Sequence, residues 1–363
     1  MQSLTLAFFV EHFRASGEGA ENDAVKLCKG LAARGHTIHV IAESGEDLEN
    51  IRVWHGLSDI DTHLSAIQPD LTVDWGLFHR ADVHRLGGGV HGPFTQYNLL
   101  AYQGLGRWWK KMSYCKNKHQ KIIAREREIL TNPDALILAI SNFVAEHAKS
   151  EGALPENVKV LHNSIDLQRF TPDTRMAARK EARSKWHMAD DETVLLFIAH
   201  NTRLKNLALM QRILPQLQQH GKYRLLVVGK HKPAFSAPWL TWTGHLSNPI
   251  PAYAAGDILT HPTFFDSFGN IVPEALACGV PVLVSEFAGA HEILTHGKDG
   301  FILPVTGAPD HIEEEWIDTI LALQNKSKVT EVTQAGYTTA NTHNWPNYLD
   351  KIEQILLAKA VRQ

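Results

Sequence analysis

Two carboxylates stand eight residues apart in the segment HPTFFDSFGNIVPEALACGVPVLVS, which covers residues 261–285. Asp266 lies in a loop that follows an apolar strand, and Glu274 lies at the start of the next helix. Between them, Gly269 and Asn270 bring backbone N–H groups to the helix N-terminus, where anionic or hydroxyl-rich ligands are favoured. Carboxylates accept strong hydrogen bonds from sugar or ribose hydroxyls. The structural alternative is an N-capping aspartate and a glutamate favoured by the helix dipole.

The elements that must position these groups alternate between strands and helices. The strand Leu4–Val10, a glycine-containing loop, the helix Ala24–Arg34 and the strand His36–Ala42 form a βαβ unit. The pattern restarts at Thr193–Ala199 and continues through the helix Leu207–Gln218. The sequence therefore predicts an α/β protein with two successive α/β segments. We predict a first domain over residues 1–167, a second over 168–345, and a terminal helix within 346–363 that packs back on the first.

Composition narrows the class of protein. A chain of 363 residues is too long for one comfortable core. The formal charge of −3 does not favour bulk binding to nucleic acid. The cysteines, Cys28, Cys115 and Cys278, form no CxxC pair, which argues against a disulfide framework or a zinc site. The N-terminus lacks the features of a signal peptide, so we expect a cytoplasmic protein.

Several motifs together resemble the retaining GT-B glycosyltransferases of family 4, also called glycosyltransferase group 1. The segment from Asp266 to Glu274 resembles their E-x7-E region, with Asp266 where Glu is usual. VLHNSIDLQRFTP, residues 160–172, is similar to their interdomain segment, AISNFV (139–144) to their "vSxxv" element, and GAHE (289–292) to their "GGxxE" element. The resemblance implies two Rossmann-like domains facing across a cleft, a nucleotide-sugar donor held mainly by the second, and retention at the anomeric carbon.

The resemblance also implies roles for individual residues. In the loop HNTRLKN, residues 200–206, Arg203 and Lys205 are expected to stabilise the leaving diphosphate, where charge develops. The family's usual Gly-Arg is Ala199-His200 here, and its Lys-Gly is Lys205-Asn206. Asp266 is expected to hold the transferred sugar and Glu274 the ribose. The alternative for the basic pair is two ordinary cations in a solvated loop. The full set of expected donor-binding residues is Gly19, Gly229, Lys230, Gly244, Phe268, Gly269, Asn270 and Glu274.

The first domain contributes two further candidates. Gly19 closes a GxG after the first strand, and the structural alternative is a tight βα turn. His91 follows three glycines and resembles a "GxGVH" element of enzymes that build bacterial lipopolysaccharide. A histidine at this point is expected at the reacting sugar, so we predict His91, Arg203, Lys205 and Asp266 as the catalytic set.

A basic stretch with interleaved aromatics runs from Arg107 to Arg127. One interpretation is a surface for a phosphorylated glycolipid at an anionic membrane, on the inner face. The other is a solvated amphipathic helix, and the sequence leaves both open.

No metal or cofactor is expected, since the nucleotide sugar is a substrate. Asp59 and Asp61 form a D-x-D, for which capping of the following helix is the favoured interpretation. The sequence thus predicts a hexosyltransferase that uses a UDP-sugar and a glycan or glycolipid acceptor, in surface polysaccharide or lipopolysaccharide synthesis. Two alternatives are a partner subunit that binds nucleotide sugars without turning them over, and another GT-B enzyme such as an epimerase or phosphorylase.

Overall fold

The computed structural model describes residues 3–14 and 20–361, and it divides into two compact units. The first unit comprises Met1–Thr95, Met112–His162 and Pro346–Gln363, and the second comprises Gln96–Lys111 and Asn163–Trp345. The strands are β1 Thr5–Phe13, β2 Thr37–Gly45, β3 Ile51–His55, β4 Leu71–Asp74, β5 Val83–Leu86, β6 Leu136–Ala139, β7 Val158–Val160, β8 Thr193–Ile198, β9 Tyr223–Val228, β10 Leu240–Trp242, β11 Ile258–His261, β12 Val282–Ser285 and β13 Phe301–Leu303.

The helices are α1 Ala20–Ala33, α2 Ile60–Ile67, α3 His91–Asn98, α4 Gly104–Tyr114, α5 Asn117–Leu130, α6 Asn142–Ser150, α7 Pro172–Lys185, α8 Leu207–Leu217, α9 Ile250–Ala255, α10 Ile271–Ala277, α11 Pro309–Ala322, α12 Lys326–Thr342 and α13 Trp345–Ala360. Helices α8 and α13 lie close to their predicted positions, whereas α1 begins four residues before the predicted start at Ala24.

The first unit is built on a sheet of seven parallel strands, counted over the described residues, in the order β3-β2-β1-β4-β5-β6-β7. Consecutive residues of β1, from Leu6 to Phe9, are all buried. Burial of both faces is typical of parallel sheets that are covered by helices on either side. Because β1 has β2 on one side and β4 on the other, the strand order reverses there, and ligands bind at such switch points in α/β sheets.

The second unit repeats this arrangement with six parallel strands among the described residues, in the order β10-β9-β8-β11-β12-β13. Here β8 lies between β9 and β11, so the switch point falls at the carboxyl ends of β8 and β11. The basic loop 200–206 leaves β8 at that edge, and the loop containing Asp266 leaves β11 beside it. The parallel topology therefore brings together two segments that are 60 residues apart in the sequence, as the Phe264 N–H bond to the Leu204 carbonyl at 2.9 Å shows.

The division between the units differs from the predicted boundary at Leu167 and falls between His162 and Asn163. The Ile165 N–H donates to the His343 carbonyl at 2.8 Å, which ties this segment to the second unit. Residues 96–111 also group with the second unit, although the sequence analysis placed them in the first domain. The reason is aromatic packing, since the Tyr97 ring centroid lies 5.9 Å from that of Phe265.

Three arginines on one face of α7 fasten α9 in the second unit. Arg175, Arg179 and Arg183 follow one another at four-residue spacing, which places them on the same side of the helix. Their guanidinium groups donate to the carbonyls of residues 253–256 at the C-terminal end of α9. These carbonyls have no partner within the helix, and hydrogen bonds from cations also complement the helix dipole.

Asp59 occupies the N-cap of α2, but its side chain makes no capping hydrogen bond. The capping interpretation of the D-x-D is therefore wrong in its detail. Asp61 lies in the first turn of α2, where the helix dipole favours a carboxylate.

Helix α13 groups with the first unit from Pro346 onward and is held there by a buried ionic cluster. Arg34 and His36 both bond to Glu353, whose side chain is only 10% exposed. The Leu4 N–H donates to His36 Nδ1 at 3.1 Å, so Nε2 carries the ring proton and donates to Glu353 at 3.0 Å. Burial alone would raise the pKa of Glu353, but the bonds from His36 and Arg34 hold it below the ordinary value.

We expect Glu353→Gln to destabilise the protein by about 1–3 kcal/mol at pH 7, because two charged or polar donors lose a carboxylate. Since the pKa of Glu353 is lower in the folded state, its contribution is complete above about pH 4.5 and disappears as the pH falls through the folded value. Thermal unfolding of both proteins between pH 3 and pH 8 measures this. The matched control is Asp350→Asn, because Asp350 pairs with the same Arg34 but is 55% exposed. An equal or larger loss in that control would contradict a dominant role for Glu353.

Candidate functional site

The loop between β11 and α10 is fixed by hydrogen bonds on both sides of Asp266. The Asp266 N–H donates to the Phe287 carbonyl, and the Asp266 carbonyl accepts from the Gly289 N–H, both at 2.9 Å. Thr263, which is fully buried, donates through its hydroxyl to the Phe265 carbonyl at 2.8 Å. The backbone of the loop is therefore held in one conformation before any ligand binds.

Asp266 forms a charged cluster with Lys205 and His261. Lys205 Nζ lies 2.5 Å from Asp266 Oδ2, and His261 Nε2 lies 3.0 Å from the same oxygen. Lys205 also donates to the Phe265 carbonyl at 3.1 Å. Among the described residues, no hydrogen bond involves Asp266 Oδ1, and the side chain is 20% exposed. The geometry thus leaves one carboxylate oxygen available to a ligand hydroxyl.

The electrostatics of this cluster keep Asp266 ionised. Burial would raise its pKa, but the positive charge of Lys205 and the hydrogen bonds from His261 and Lys205 together hold the pKa far below its ordinary value. Burial lowers the pKa of His261, and the neighbouring Lys205 adds to the effect while Asp266 opposes it. A neutral His261 that donates Nε2–H to a carboxylate is consistent with both shifts.

Gly269 and Phe268 shape the same loop in different ways. Gly269 has a φ of 91°, and a Cβ atom there would lie 3.3 Å from Asp266 Oδ2 and 3.4 Å from His261 Nε2. Glycine is suited to both constraints, since it has no Cβ atom and adopts positive φ readily. The ring of Phe268 is 1% exposed, so its side chain anchors the loop in the interior rather than facing a ligand.

Glu274 is oriented by a tyrosine that the sequence analysis did not single out. The Tyr253 hydroxyl donates to Glu274 Oε2 at 2.6 Å, and Tyr253 is completely buried. The Tyr253 carbonyl in turn accepts from Arg175 Nε at 3.1 Å. Glu274 lies in the first turn of α10, whose N-cap is Asn270. The alternative of an N-capping aspartate is therefore wrong for Asp266, whereas Glu274 occupies the dipole-favoured position that was predicted.

The basic loop presents Arg203 on an aromatic ring. The Arg203 guanidinium carbon lies 4.8 Å from the Tyr102 ring centroid, within range of a cation–π interaction. Asn206 follows with φ 59° and ψ 46°, the left-handed conformation. Asparagine is among the non-glycine residues that tolerate this region best. The loop at Lys205-Asn206 thus keeps the backbone shape that glycine would give.

Gly229 and Gly244 are engaged with each other rather than free. The Gly229 N–H donates to the Gly244 carbonyl at 3.0 Å, and Trp242 Nε1 donates to the Gly229 carbonyl at 2.9 Å. A Cβ atom on Gly229 would lie 1.9 Å from the Ala199 carbonyl oxygen, so only glycine fits where β8 and β9 end. Gly244 has a φ of 79°, and Lys230 is exposed.

The remaining motifs have definite local roles. Asn163 Nδ2 donates to Asn270 Oδ1 at 2.9 Å, which links segment 160–172 to the start of α10. Ser141 caps α6 by accepting the Val144 N–H at 3.1 Å. Residues 289–293, which contain the GAHE element, form a 3-10 turn whose Ala290 N–H donates to the Phe268 carbonyl at 2.7 Å.

His91 belongs to the first unit, where it begins α3. Its Nε2 lies 2.8 Å from His119 Nδ1, and its backbone N–H donates to Glu126 Oε2 at 2.7 Å. Burial and His119 lower the pKa of His91. Burial raises the pKa of Glu126 to about 7, with a further contribution from Glu151 and partial opposition from the His91 N–H. Gly19 lies outside the described residues.

Among residues 3–14 and 20–361, no group of three or more His, Cys, Asp or Glu side chains could hold a metal ion. Within the same ranges, no helix is long and apolar enough to cross a membrane.

Sequence reasoning found the carboxylates and the basic pair but missed the groups that orient them. Tyr253 and Tyr102 are remote in sequence from the side chains that they orient, whereas His261 precedes Asp266 by only five residues. A polar residue at the end of an otherwise apolar strand was the available signal for His261. For Tyr253 and Tyr102 we find no signal in the sequence, since each is one aromatic residue among many.

Comparison with known proteins agrees with this architecture. The family described as glycosyl transferases group 1 matches residues 192–326. This region is a group 1 glycosyltransferase domain. A D-inositol 3-phosphate glycosyltransferase of Mycobacteroides abscessus is 26% identical over 211 residues, which cover 54% of this chain and 45% of that protein. The chain spans about half the length of most of the first curated relatives that it matches.

Solved structures extend the likeness from the group 1 domain to the whole fold. The lipopolysaccharide glycosyltransferase WaaG superimposes with a TM-score of 0.74 at 17% identity, covering 96% of this chain and 99% of WaaG. Anabaena HepE in complex with UDP-glucose gives 0.70 at 14% identity, with coverage of 98% and 100%. The expected α/β architecture of the GT-B glycosyltransferases is therefore confirmed, as is the resemblance of the second half to group 1.

The raised pKa of Glu126 can be tested through its effect on the stability of the protein. We expect Glu126→Gln to be more stable than the parent at pH 8, on the order of 1–3 kcal/mol, because the folded state disfavours the charged carboxylate. The raised pKa makes the parent lose stability as the pH rises from about 4.5 to 7, so the difference should vanish near pH 4.5. Denaturant unfolding at both pH values measures it. Glu128→Gln, on the exposed side of the same helix, is the control. A parent more stable than Glu126→Gln at pH 8 would refute this account.

Proposed function

We propose that the protein transfers a hexose from a nucleoside diphosphate sugar, with UDP as the favoured nucleotide, to a glycan or glycolipid acceptor. The observation that carries this proposal is the charged cluster of Lys205, Asp266 and His261 at the carboxyl ends of β8 and β11. It combines a cation for a diphosphate with an ionised carboxylate for sugar hydroxyls. The complex of HepE with UDP-glucose supports a donor of this class, although that protein is only 14% identical.

The donor would be divided among three groups of the second unit. Arg203, already oriented by Tyr102, and Lys205 would bind the diphosphate and stabilise the charge that develops on it. Glu274, oriented by Tyr253, would accept hydrogen bonds from the ribose. Asp266 would accept a sugar hydroxyl through Oδ1.

Retention of configuration follows from a front-face mechanism. The bond between the anomeric carbon and the phosphate oxygen breaks, while a bond from the acceptor oxygen forms on the same face. The acceptor hydroxyl passes its proton to the departing phosphate oxygen, so no protein base and no metal ion is required. Asp266 is poorly suited to be a covalent nucleophile, because Lys205 and His261 stabilise its negative charge and hold its pKa far below the ordinary value, which makes the carboxylate a weak nucleophile.

The alternative is a partner subunit that binds nucleotide sugars without turning them over. It is favoured by the aspartate at position 266, which is shorter than glutamate by one methylene, about 1.5 Å. Release of free sugar from a UDP-sugar by the purified protein would exclude this alternative.

We expect Asp266→Asn and Glu274→Gln to separate the two ends of the donor. Asp266→Asn should weaken binding of UDP-glucose about tenfold relative to binding of UDP. Glu274→Gln should weaken binding of both ligands by a similar factor. Each variant loses one charge-assisted hydrogen bond to the donor. Calorimetry with UDP and UDP-glucose, each with and without a chelator, measures this. The chelator should leave the affinity of the parent protein for both ligands unchanged.

Controls keep this test specific. Glu313→Gln alters a carboxylate on α11 that pairs with Arg212 and takes no part in the charged cluster, so it should bind both ligands normally. Loss of all binding on chelation would refute metal independence. If Asp266→Asn no longer bound UDP and Glu274→Gln still did, the two roles would be the reverse of those assigned.

We also propose peripheral contact with anionic membranes through the basic segment Arg107–Arg127. Helix α4 exposes Leu105 (78%), Trp108 (53%), Trp109 (66%) and Met112 (47%). The same helix carries Arg107, Lys110 and Lys111, and α5 adds further cations. Exposed aromatic and aliphatic side chains beside cations are typical of helices that lie in the membrane interface.

The double substitution Trp108→Ala/Trp109→Ala should reduce sedimentation with phosphatidylglycerol vesicles, because it removes most of the exposed aromatic area. Binding should weaken as salt rises and be small on phosphatidylcholine alone. Met176→Ala, a similarly exposed apolar residue on α7, is the control. Equal binding to neutral and anionic vesicles would contradict the electrostatic part of the proposal.

A further inference from the structure

A cavity lies in the first unit, at the switch point of its sheet. It has a volume of about 440 Å³, within the range of roughly 300–1,000 Å³ usual for small-molecule sites. Its walls come from the carboxyl ends of β1, β2 and β4, the loop after β4, and α5. We call it the strand-end cavity, and its lining includes Glu11, Glu43, Asp74, Phe78, His79 and Arg125.

Asp74 is a fully buried carboxylate in the wall of this cavity. Its Oδ2 accepts the Phe78 N–H at 2.8 Å and the His79 N–H at 3.3 Å, and lies 3.3 Å from His84 Nδ1. Its Oδ1 has no hydrogen-bond partner among the described residues. A buried acceptor without a partner costs on the order of 1–3 kcal/mol. A ligand or a water molecule that brings a hydroxyl to Asp74 would remove that cost.

Phe78 provides an apolar platform in the same cavity. Its ring lies against Gly76, where an added Cβ atom would come within 2.4 Å of the ring. Phe78 is nevertheless 53% exposed, an unusual state for a phenylalanine whose backbone is tied to a buried carboxylate. An aromatic face beside hydrogen-bond acceptors fits a pyranose ring, which has an apolar C–H face and hydroxyls at its edge.

The charge of the strand-end cavity disfavours anions. Within the described part of the chain, three carboxylates, Glu11, Glu43 and Asp74, line it together with one arginine, Arg125. Burial is the main reason that the pKa of His79 is lowered, so this ring adds no positive charge near pH 7. The first N–H of α3, next to the adjoining glycine loop, is already taken by Glu126.

We propose that the strand-end cavity binds a neutral sugar residue of the acceptor and discriminates against a phosphorylated one. Asp74 and Glu43 accept its hydroxyls, and Phe78 packs on its C–H face. This inference rests on the proposed transferase function and narrows its acceptor. It also sets the chain apart from those relatives that are named D-inositol 3-phosphate glycosyltransferase.

Saturation-transfer NMR on the chain of 363 residues tests the preference without any turnover. The probes are D-glucose and D-galactose, each compared with its 6-phosphate, in the absence and presence of UDP. We expect transfer to the neutral sugars and about tenfold weaker binding of the phosphates. Phe78→Ala should weaken binding of the neutral sugars by a similar factor, which corresponds to about 1.4 kcal/mol. Phe78→Trp should bind them as well as the parent protein does.

Matched variants identify the charge effect. Glu43→Gln should narrow the difference in affinity between glucose and glucose 6-phosphate. Glu46 is exposed and does not line the cavity, so Glu46→Gln should leave that difference unchanged. Stronger binding of the phosphates than of the neutral sugars overturns the proposal, and so does full binding by Phe78→Ala.

The outcomes that refute acceptor binding differ from those that refute the transferase activity. If UDP binds in calorimetry but neither neutral sugar receives saturation, the acceptor inference is wrong and the transferase proposal stands. If UDP does not bind to the folded parent protein, the transferase proposal itself is wrong.

Discussion

Parallel strand pairing is the constraint on which the rest of the structure depends. Each strand must return by a crossover before the next begins, so all carboxyl ends lie on one edge of a sheet. At the switch point of each sheet the crossovers diverge and leave a crevice. In the second unit this edge carries the loops of Lys205 and Asp266, and in the first it carries Asp74 and the cavity beside it.

The second unit shows how charge is maintained in a partly buried site. Asp266 would be penalised by burial if it stood alone, and Lys205 with His261 reverses that effect. Glu274 depends on a longer chain of contacts, in which Arg175 bonds to the Tyr253 carbonyl and the Tyr253 hydroxyl bonds to the carboxylate. The arginine face of α7 thus stabilises a helix end and also fixes a group of the candidate site.

The two units differ in the chemistry that they offer at equivalent edges. The second presents Arg203 and Lys205 close to one carboxylate, an arrangement suited to a ligand that carries both phosphate and hydroxyls. The first presents carboxylates and an exposed aromatic ring with one arginine, counted over the residues that the structure describes. The two sheets therefore share a topology but differ in the electrostatics of these edges.

The sequence by itself determined the alternation of strands and helices, the strand near Thr193–Ala199 with the helix near Leu207–Gln218, and the presence of carboxylates and cations in the loops after β8 and β11, because these depend on local periodicity and on residue type. It did not determine that Gln96–Lys111 joins the second unit, nor that Tyr102, Tyr253 and His261 orient Arg203, Glu274 and Asp266. Most of those contacts join residues far apart in the chain. Only tertiary packing brings such residues together, since a single buried tyrosine or an αL asparagine leaves no periodic pattern in the sequence.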